Sequence, residues 1–319
     1  MSAKKVIEAV KRYSTFLITS HVNAEGDALG SELALSSFLR KMGKKAFIVN
    51  SEKTPANYSF LPGAEKINTR LKSRKFQAAF IVDCPTKKRI GRTANLIDDK
   101  KPVINIDHHM DNKKFGRVNW IDPQASSAGE MVYRLFKSAR IKLDKKDALN
   151  IYAAMLTDTG SFRHANTTSI TLDIASELLK LGIKPARVYS EIYESNSLQE
   201  SALVAKIISR LSFAANNQIA WVKIGRAIFK KIKGKHEVLD KVLDFAKSID
   251  SVKVVIVFCQ IKQRLFKISL RSKSPVNVQK IAVGFGGGGH KLASGCSIKA
   301  GFNQVKRMVL KEAKRWTAS

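Results

Sequence analysis

The chain has 319 residues, more than one hydrophobic core normally serves, so about two domains are expected. Its 44% hydrophobic and 26% charged residues are those of a folded globular protein and exclude a disordered or collagen-like chain. The 57 Lys and Arg against 26 Asp and Glu give a formal net charge of +31, which favours anionic partners and is silent on catalysis.

Charges alternate through Met1 to Lys11, and no apolar run fits a signal peptide or reaches the ~20 residues of a membrane span, so the expected location is the cytoplasm. Short β-branched or aromatic runs at 15–19, 46–49, 78–82 and 103–106 then alternate with helical patterns, the signature of a parallel sheet. Between the first two runs, Ala28 to Met42 repeats apolar residues at helical spacing and stops at Gly43. From Ser127 to Leu211 the pattern is mainly helical, including 147–157 and 170–181. Strands at 219–223, 252–258 and 265–270 and helices at 237–247 and 304–315 follow. The expected fold class is therefore α/β: an N-terminal parallel-sheet domain over 1–185, a helical connector over 186–211, and a smaller C-terminal α+β domain over 212–319. Cys84, Cys259 and Cys296 are odd in number and lack a CxxC pair, so they are read as core residues.

Ligands of such sheets collect at the carboxyl ends of the strands. His21-Val-Asn-Ala-Glu25-Gly-Asp27-Ala-Leu-Gly30-Ser31 follows the first strand, Asp83 the third, and Asp107-His108-His109 the fourth. Asp158 ends a helical run before Thr159-Gly160. So many carboxylates repel one another unless cations join them. Carboxylates mixed with imidazoles, without thiolate, suit Mn²⁺, with Mg²⁺, Co²⁺ or Fe²⁺ as alternatives. A pair of such ions supports hydrolysis at phosphorus. His164 and His236 receive no role.

In this order, His21 to Ser31, Val82-Asp83, Asp107-His108-His109 and Thr157-Asp158-Thr-Gly160 resemble the motifs of the Asp-His-His (DHH) phosphoesterase superfamily. That superfamily includes RecJ-type exonucleases, family II inorganic pyrophosphatases and bacterial oligoribonuclease/pAp phosphatases. Ser269-Leu-Arg271-Ser272 and Gly284-Phe-Gly286-Gly287-Gly288-Gly289-His290 are similar to the substrate-binding domain associated with it. The resemblance implies that His21, Glu25 and Asp83 hold one Mn²⁺, and that Asp27, Asp83, His108 and Asp158 hold another, with Asp83 bridging. It also implies that His109 faces the phosphate, that Asp107 orients a histidine, and that Arg271, Ser272, Gly286 to Gly289 and His290 bind the nucleotide. Glu25 stands where the family usually has Asp, and Ala24 where Pro is common. The extra methylene of Glu25 is expected to alter metal affinity or preference.

The glycine-His motif argues against a simple pyrophosphatase, and the length against a RecJ nuclease with its further nucleic-acid-binding domain. The implied activity is Mn²⁺-dependent hydrolysis of short oligoribonucleotides to nucleoside 5′-monophosphates, of pAp to AMP, or both, by a homodimer. The alternatives are a phosphodiesterase for cyclic dinucleotides such as cyclic di-AMP, and a nucleic-acid-binding protein without catalysis.

Overall fold

Runs such as Ala78-Ala-Phe-Ile-Val82 are apolar at every position, which suits strands covered on both faces. The computed structural model describes residues 3–71, 75–98, 100–232 and 236–317. After helix α1 (Ala3–Arg12) come strands β1 (Thr15–Thr19), β2 (Lys45–Val49), β3 (Ile67–Asn68), β4 (Ala78–Val82), β5 (Val103–Asp107) and β6 (Val118–Ile121). They form one sheet in the order β3-β2-β1-β4-β5-β6, parallel throughout. Side chains alternate between its faces. Phe16, Ile18 and Phe80 join the larger core with the helices, while Leu17, Ala79 and Ile81 pack on the other side with Cys84, Ile90 and Ile97. Strand order reverses between β1 and β4, and that reversal places a crevice at their carboxyl ends.

Helices α2 (Gly26–Lys41), α3 (Ala128–Ser138) and α4 (Lys145–Asp158) lie on the larger core. Glycine lets α2 approach α4: a Cβ on Gly30 would sit 2.3 Å from the Asn150 carbonyl oxygen, and one on Gly26 2.4 Å from Thr157 Cγ2. Helices α5 (Ser169–Lys180) and α6 (Pro185–Tyr193) complete a first compact unit that ends at Ser195. The second unit begins at Asn196, so the segment expected to be a connector is divided between the two.

Helix α7 (Leu198–Ile208) opens the second unit and is followed by β7 (Ser212–Ala214), β8 (Ile219–Ile224), α8 (Arg226–Ile232) and α9 (His236–Ser248). The side chain of His236 lies outside the described residues. Next come β9 (Val254–Lys262), β10 (Leu265–Ser272), α10 (Val278–Val283), β11 (Gly288–His290), β12 (Ala293–Lys299) and α11 (Phe302–Thr317). Their sheet runs β11-β12-β10-β9-β8-β7 and is antiparallel except where β8 meets β9, the pair joined by the α8–α9 crossover. Phe258, Phe266, Ile268 and Leu270 pack under α10 and α11, while Val255, Val257 and Cys259 pack under α7, α8 and α9. Among the described residues no helix is long and apolar enough to cross a membrane.

Gly30→Ala drives a methyl group into the α4 backbone and is expected to cost about 1–3 kcal/mol. Urea unfolding should show a lower midpoint with an unchanged slope. An unchanged midpoint would contradict the close helix contact.

Candidate metal centre

Three strand ends and two helix ends deliver the charged side chains. His21 follows β1, Asp83 follows β4, and β5 ends in Asp107 with His108 and His109 next. Asp27 lies in the first turn of α2, and Asp158 is the last residue of α4. His108 Nε2 stands 3.6 Å from a carboxylate oxygen of each of Asp27, Asp83 and Asp158. Asp83 turns its oxygens to different partners: Oδ2 lies 3.3 Å from His21 Nε2, and Oδ1 lies 3.5 Å from His109 Nδ1. Its backbone has φ +49, a left-handed conformation that Asp tolerates better than most residues and that often marks a functional position. Ligand atoms of Asp27, His108 and Asp158 lie within 4.8 Å of one another, as do those of Asp83, His108 and His109.

Neighbouring groups fix these side chains. Asp27 accepts from the N–H groups of Ala128 (2.7 Å) and Gly129 (2.9 Å) in the first turn of α3, and from Ser31 Oγ at 3.0 Å. A helix N-terminus stabilises the carboxylate it meets in this way. Ser127 caps α3 by accepting from Glu130 N, and the Glu130 side chain accepts from Ser126, which holds that turn in place. Asp107 Oδ1 accepts from His109 Nδ1 at 2.7 Å and from the His108 N–H at 3.0 Å. Both oxygens facing His109 Nδ1 belong to carboxylates, an arrangement that favours the tautomer with its proton on that nitrogen. His21 Nδ1 lies 2.6 Å from the Val22 carbonyl, which can only accept, so Nδ1 carries a proton and Nε2 is the nitrogen that faces Asp83, as a donor in the metal-free site and as a ligand atom once it gives up its proton.

Three amides absent from the sequence reading complete the frame. Asn105 donates to the carbonyls of Ile81 (3.0 Å) and Cys84 (3.2 Å), tying β5 to the turn that carries Asp83. Asn112 donates to Asn105 Oδ1 at 2.8 Å and to Asp107 Oδ2 at 2.5 Å. Asn166 donates to Asp158 Oδ2 at 3.1 Å and to the Ser126 carbonyl at 2.8 Å. A polar residue inside the buried strand Val103-Ile-Asn105-Ile was the one visible signal.

Protonation follows this crowding. Desolvation, then the charges of Asp83 and Asp158, push Asp27 well above the ordinary carboxylate range, and desolvation raises Asp158 as well. Burial opposes the ionised form of Asp83, but hydrogen bonds from His108 and His21 hold it well below that range. Burial likewise opposes a charged His108, but its bond to Asp83 and the charges of Asp158 and Asp27 raise it well above the usual imidazole value. Protons thus substitute for cations among these carboxylates. The donor set fits a hard divalent ion. Cys84 is no competitor: it donates to the Thr86 carbonyl at 3.3 Å, and burial pushes its thiol up to about 12.

Other expected site residues are placed differently. Glu25 is exposed at the N-cap of α2, belongs to neither three-residue group, and lies close enough for its charge to act on the Tyr193 hydroxyl. In the second unit, Arg271 Nη2 pairs with Asp240 Oδ1 at 3.2 Å, and the buried Ser272 hydroxyl donates to the Val276 carbonyl at 2.7 Å. The glycine tract was expected to approach a ligand, yet half of it is edge strand: Gly288 and Gly289 pair with Gly295 and Ser294 of β12. A Cβ on Gly287 would fall 2.2 Å from the Gly295 carbonyl oxygen, so strand packing itself requires glycine there. Gly286 has φ +71 in the preceding turn, and His290 is exposed.

Comparison with known proteins follows the same two units. Residues 15–157 match the N-terminal domain of the DHH family, and residues 216–319 match the DHHA1 domain. A bifunctional oligoribonuclease and PAP phosphatase NrnA of Thermus thermophilus is 30% identical, over 92% of this chain and 87% of the relative. The protein of the same name from Bacillus subtilis is 28% identical, over 92% of each chain. The crystal structure of an exopolyphosphatase-related protein from Bacteroides fragilis superposes with a TM-score of 0.88 at 26% identity, covering 99% of this chain and 97% of that one.

Both His108 and Asp27 have folded values above their unfolded ones, so their contribution to the metal-free protein is complete at low pH and is lost as pH rises through the folded values. Asp83 has the opposite sign and matters only under strong acid. A divalent ion replaces those protons, so the gain in thermal midpoint on adding Mn²⁺ should grow as pH rises above the ordinary carboxylate range toward the raised folded values of Asp27 and His108. Thermal denaturation with Mn²⁺ or EDTA measures it; a gain that shrinks with pH would contradict the site.

Proposed function

This chain belongs to the DHH family, and on that premise we propose that it is a Mn²⁺-dependent phosphoesterase that converts short oligoribonucleotides to nucleoside 5′-monophosphates and pAp to AMP. The observation that carries the reading is the single imidazole of His108 shared by Asp27, Asp83 and Asp158, with Asp83 turned also to His21. We assign two ions to this set, with His21, Asp27, Asp83, His108 and Asp158 as ligands and Glu25 joining them by a change of rotamer. A cytoplasmic setting and a homodimer form part of the same proposal.

Divalent ions so held supply Lewis acidity toward the phosphoryl group and acidify water. The chain's own residues do the rest. Asp83, oriented by the Asn105 frame, offers one oxygen to each side of the site. Asp27 stays fixed by the α3 amides whatever occupies the crevice. His109, its Nδ1 proton committed to Asp107, acts on the phosphate through Nε2, stabilising its charge or passing it a proton. In the second unit Arg271 exchanges Asp240 for a phosphate of the substrate, a charge-assisted contact that a carboxylate partner keeps preorganised. Backbone N–H groups near Gly286 to Gly289 and the ring of His290 supply further contacts.

The direct test incubates purified protein with RNA dinucleotide, pAp and cyclic di-AMP in parallel, with Mn²⁺ or with EDTA. Mononucleotide or AMP released only with Mn²⁺ is expected. Preferential opening of cyclic di-AMP would replace the substrate assignment, and no metal-dependent product would overturn the enzyme reading. Asp83→Ala should lose at least about 10³-fold in rate while its circular dichroism is retained. Asp107→Asn leaves the ring space filled but presents an amide N–H to His109. A fall of about 10²-fold in kcat with little change in KM is expected, and an unchanged kcat would remove Asp107 and His109 from the mechanism.

A further inference from the structure

From Ser251 to Ser319 the sequence carries 14 Lys and Arg against one acidic residue, Glu312. Part of this charge is ordered along α11. Val305, Val309 and Ala313 are buried against the sheet, which leaves Arg307, Lys311 and Lys314 exposed along the opposite stripe. These three stand four and three residues apart, on successive turns, at steps of about 6 and 4.5 Å along the axis. None pairs with a carboxylate among the described residues; Glu312 is engaged by Arg315 and by the Trp316 N–H. Beside Arg307, Lys306 Nζ lies 5.1 Å from the ring centre of Trp221, and Lys223 Nζ lies 4.4 Å from that of Phe302. The two half-buried rings are 6.3 Å apart.

We propose that the outward stripe of α11, with the adjoining Trp221 and Phe302, is a docking surface for single-stranded RNA longer than the dinucleotide and pAp substrates, distinct from the glycine tract and Arg271. Unpaired cations in a row neutralise successive phosphates and release their counterions. Rings flanked by lysines offer stacking to an unpaired base, which a duplex withholds. An anionic lipid surface fits less well, because α11 spends its apolar face on the sheet and exposes one large apolar side chain, Met308. The nuclease reading enters only through the choice of RNA as partner.

The probe is an end-blocked, 2′-O-methylated single strand of roughly 20 nucleotides, which resists turnover and is long enough to neutralise several cations. Its binding to the intact 319-residue chain, loaded with Mn²⁺, is followed by fluorescence anisotropy across a salt series. Binding that weakens steeply with salt is expected. In Arg307→Gln/Lys311→Gln/Lys314→Gln affinity should fall at least about tenfold and the log–log salt slope by about 2, because each single-strand phosphate contact contributes about 0.7. Dinucleotide hydrolysis by the triple variant should match the parent, which also reports its folding. Wild-type affinity and slope in the variant would overturn the proposal, as would tighter binding to phosphatidylserine vesicles lost in the same variant. If neither protein hydrolyses dinucleotide or pAp, the enzyme assignment fails, while the salt series still decides the docking surface.

Discussion

One imidazole, that of His108, stands between three carboxylates that would otherwise repel one another in a partly dry crevice. The rest of the first unit can be understood as the means of holding that arrangement. Asp83 and His108 come from adjacent strands, so the parallel sheet fixes their separation. Asp27 and Asp158 come from α2 and α4, whose distance is set by glycines rather than by side chains. The amide ends of α3 lower the cost of keeping Asp27 where it is. Strand ends, glycine spacing and a helix terminus thus converge on a single electrostatic problem, which a divalent cation solves better than a proton.

The second unit is organised around a different need. Its sheet is covered by helices on both sides, and the glycine tract lies at one edge, where a strand keeps one row of backbone groups unpaired by the sheet. Arg271 is held by a half-exposed carboxylate, an arrangement that orients a guanidinium without burying its charge. Among its described residues the unit holds no cluster of metal ligands.

Much of this was legible in the sequence, for reasons that can be named. Runs 15–19 and 78–82 match β1 and β4 at both ends, because strands apolar on both faces leave an unbroken signal. Of the residues proposed as ligands, His21 and Asp83 stand just beyond such runs. Strands β3, β6, β7, β11 and β12 left no such signal, since they are short or poor in β-branched residues and owe their conformation to a neighbouring strand. The glycine tract hid a strand because composition cannot separate a glycine kept for close strand packing from one kept for a turn. Asn112 and Asn166 were invisible because their partners lie on other segments. Glu25 shows the limit of motif reading: the motif places the residue, and its side chain stands outside the cluster.

The edges of the two sheets have a consequence for how the protein behaves at high concentration. The second sheet ends in three-residue strands on both sides, β7 and β11, and the first ends in the two-residue β3 and the four-residue β6. Aggregation by edge-to-edge pairing needs a long, flat ladder of unpaired amides for an intruding chain to copy. Neither sheet presents one, and β11, exposed at all three residues, is built of two glycines and a histidine with little tendency to recruit a partner. The backbone of this edge can therefore stay uncovered without becoming a template for misassembly.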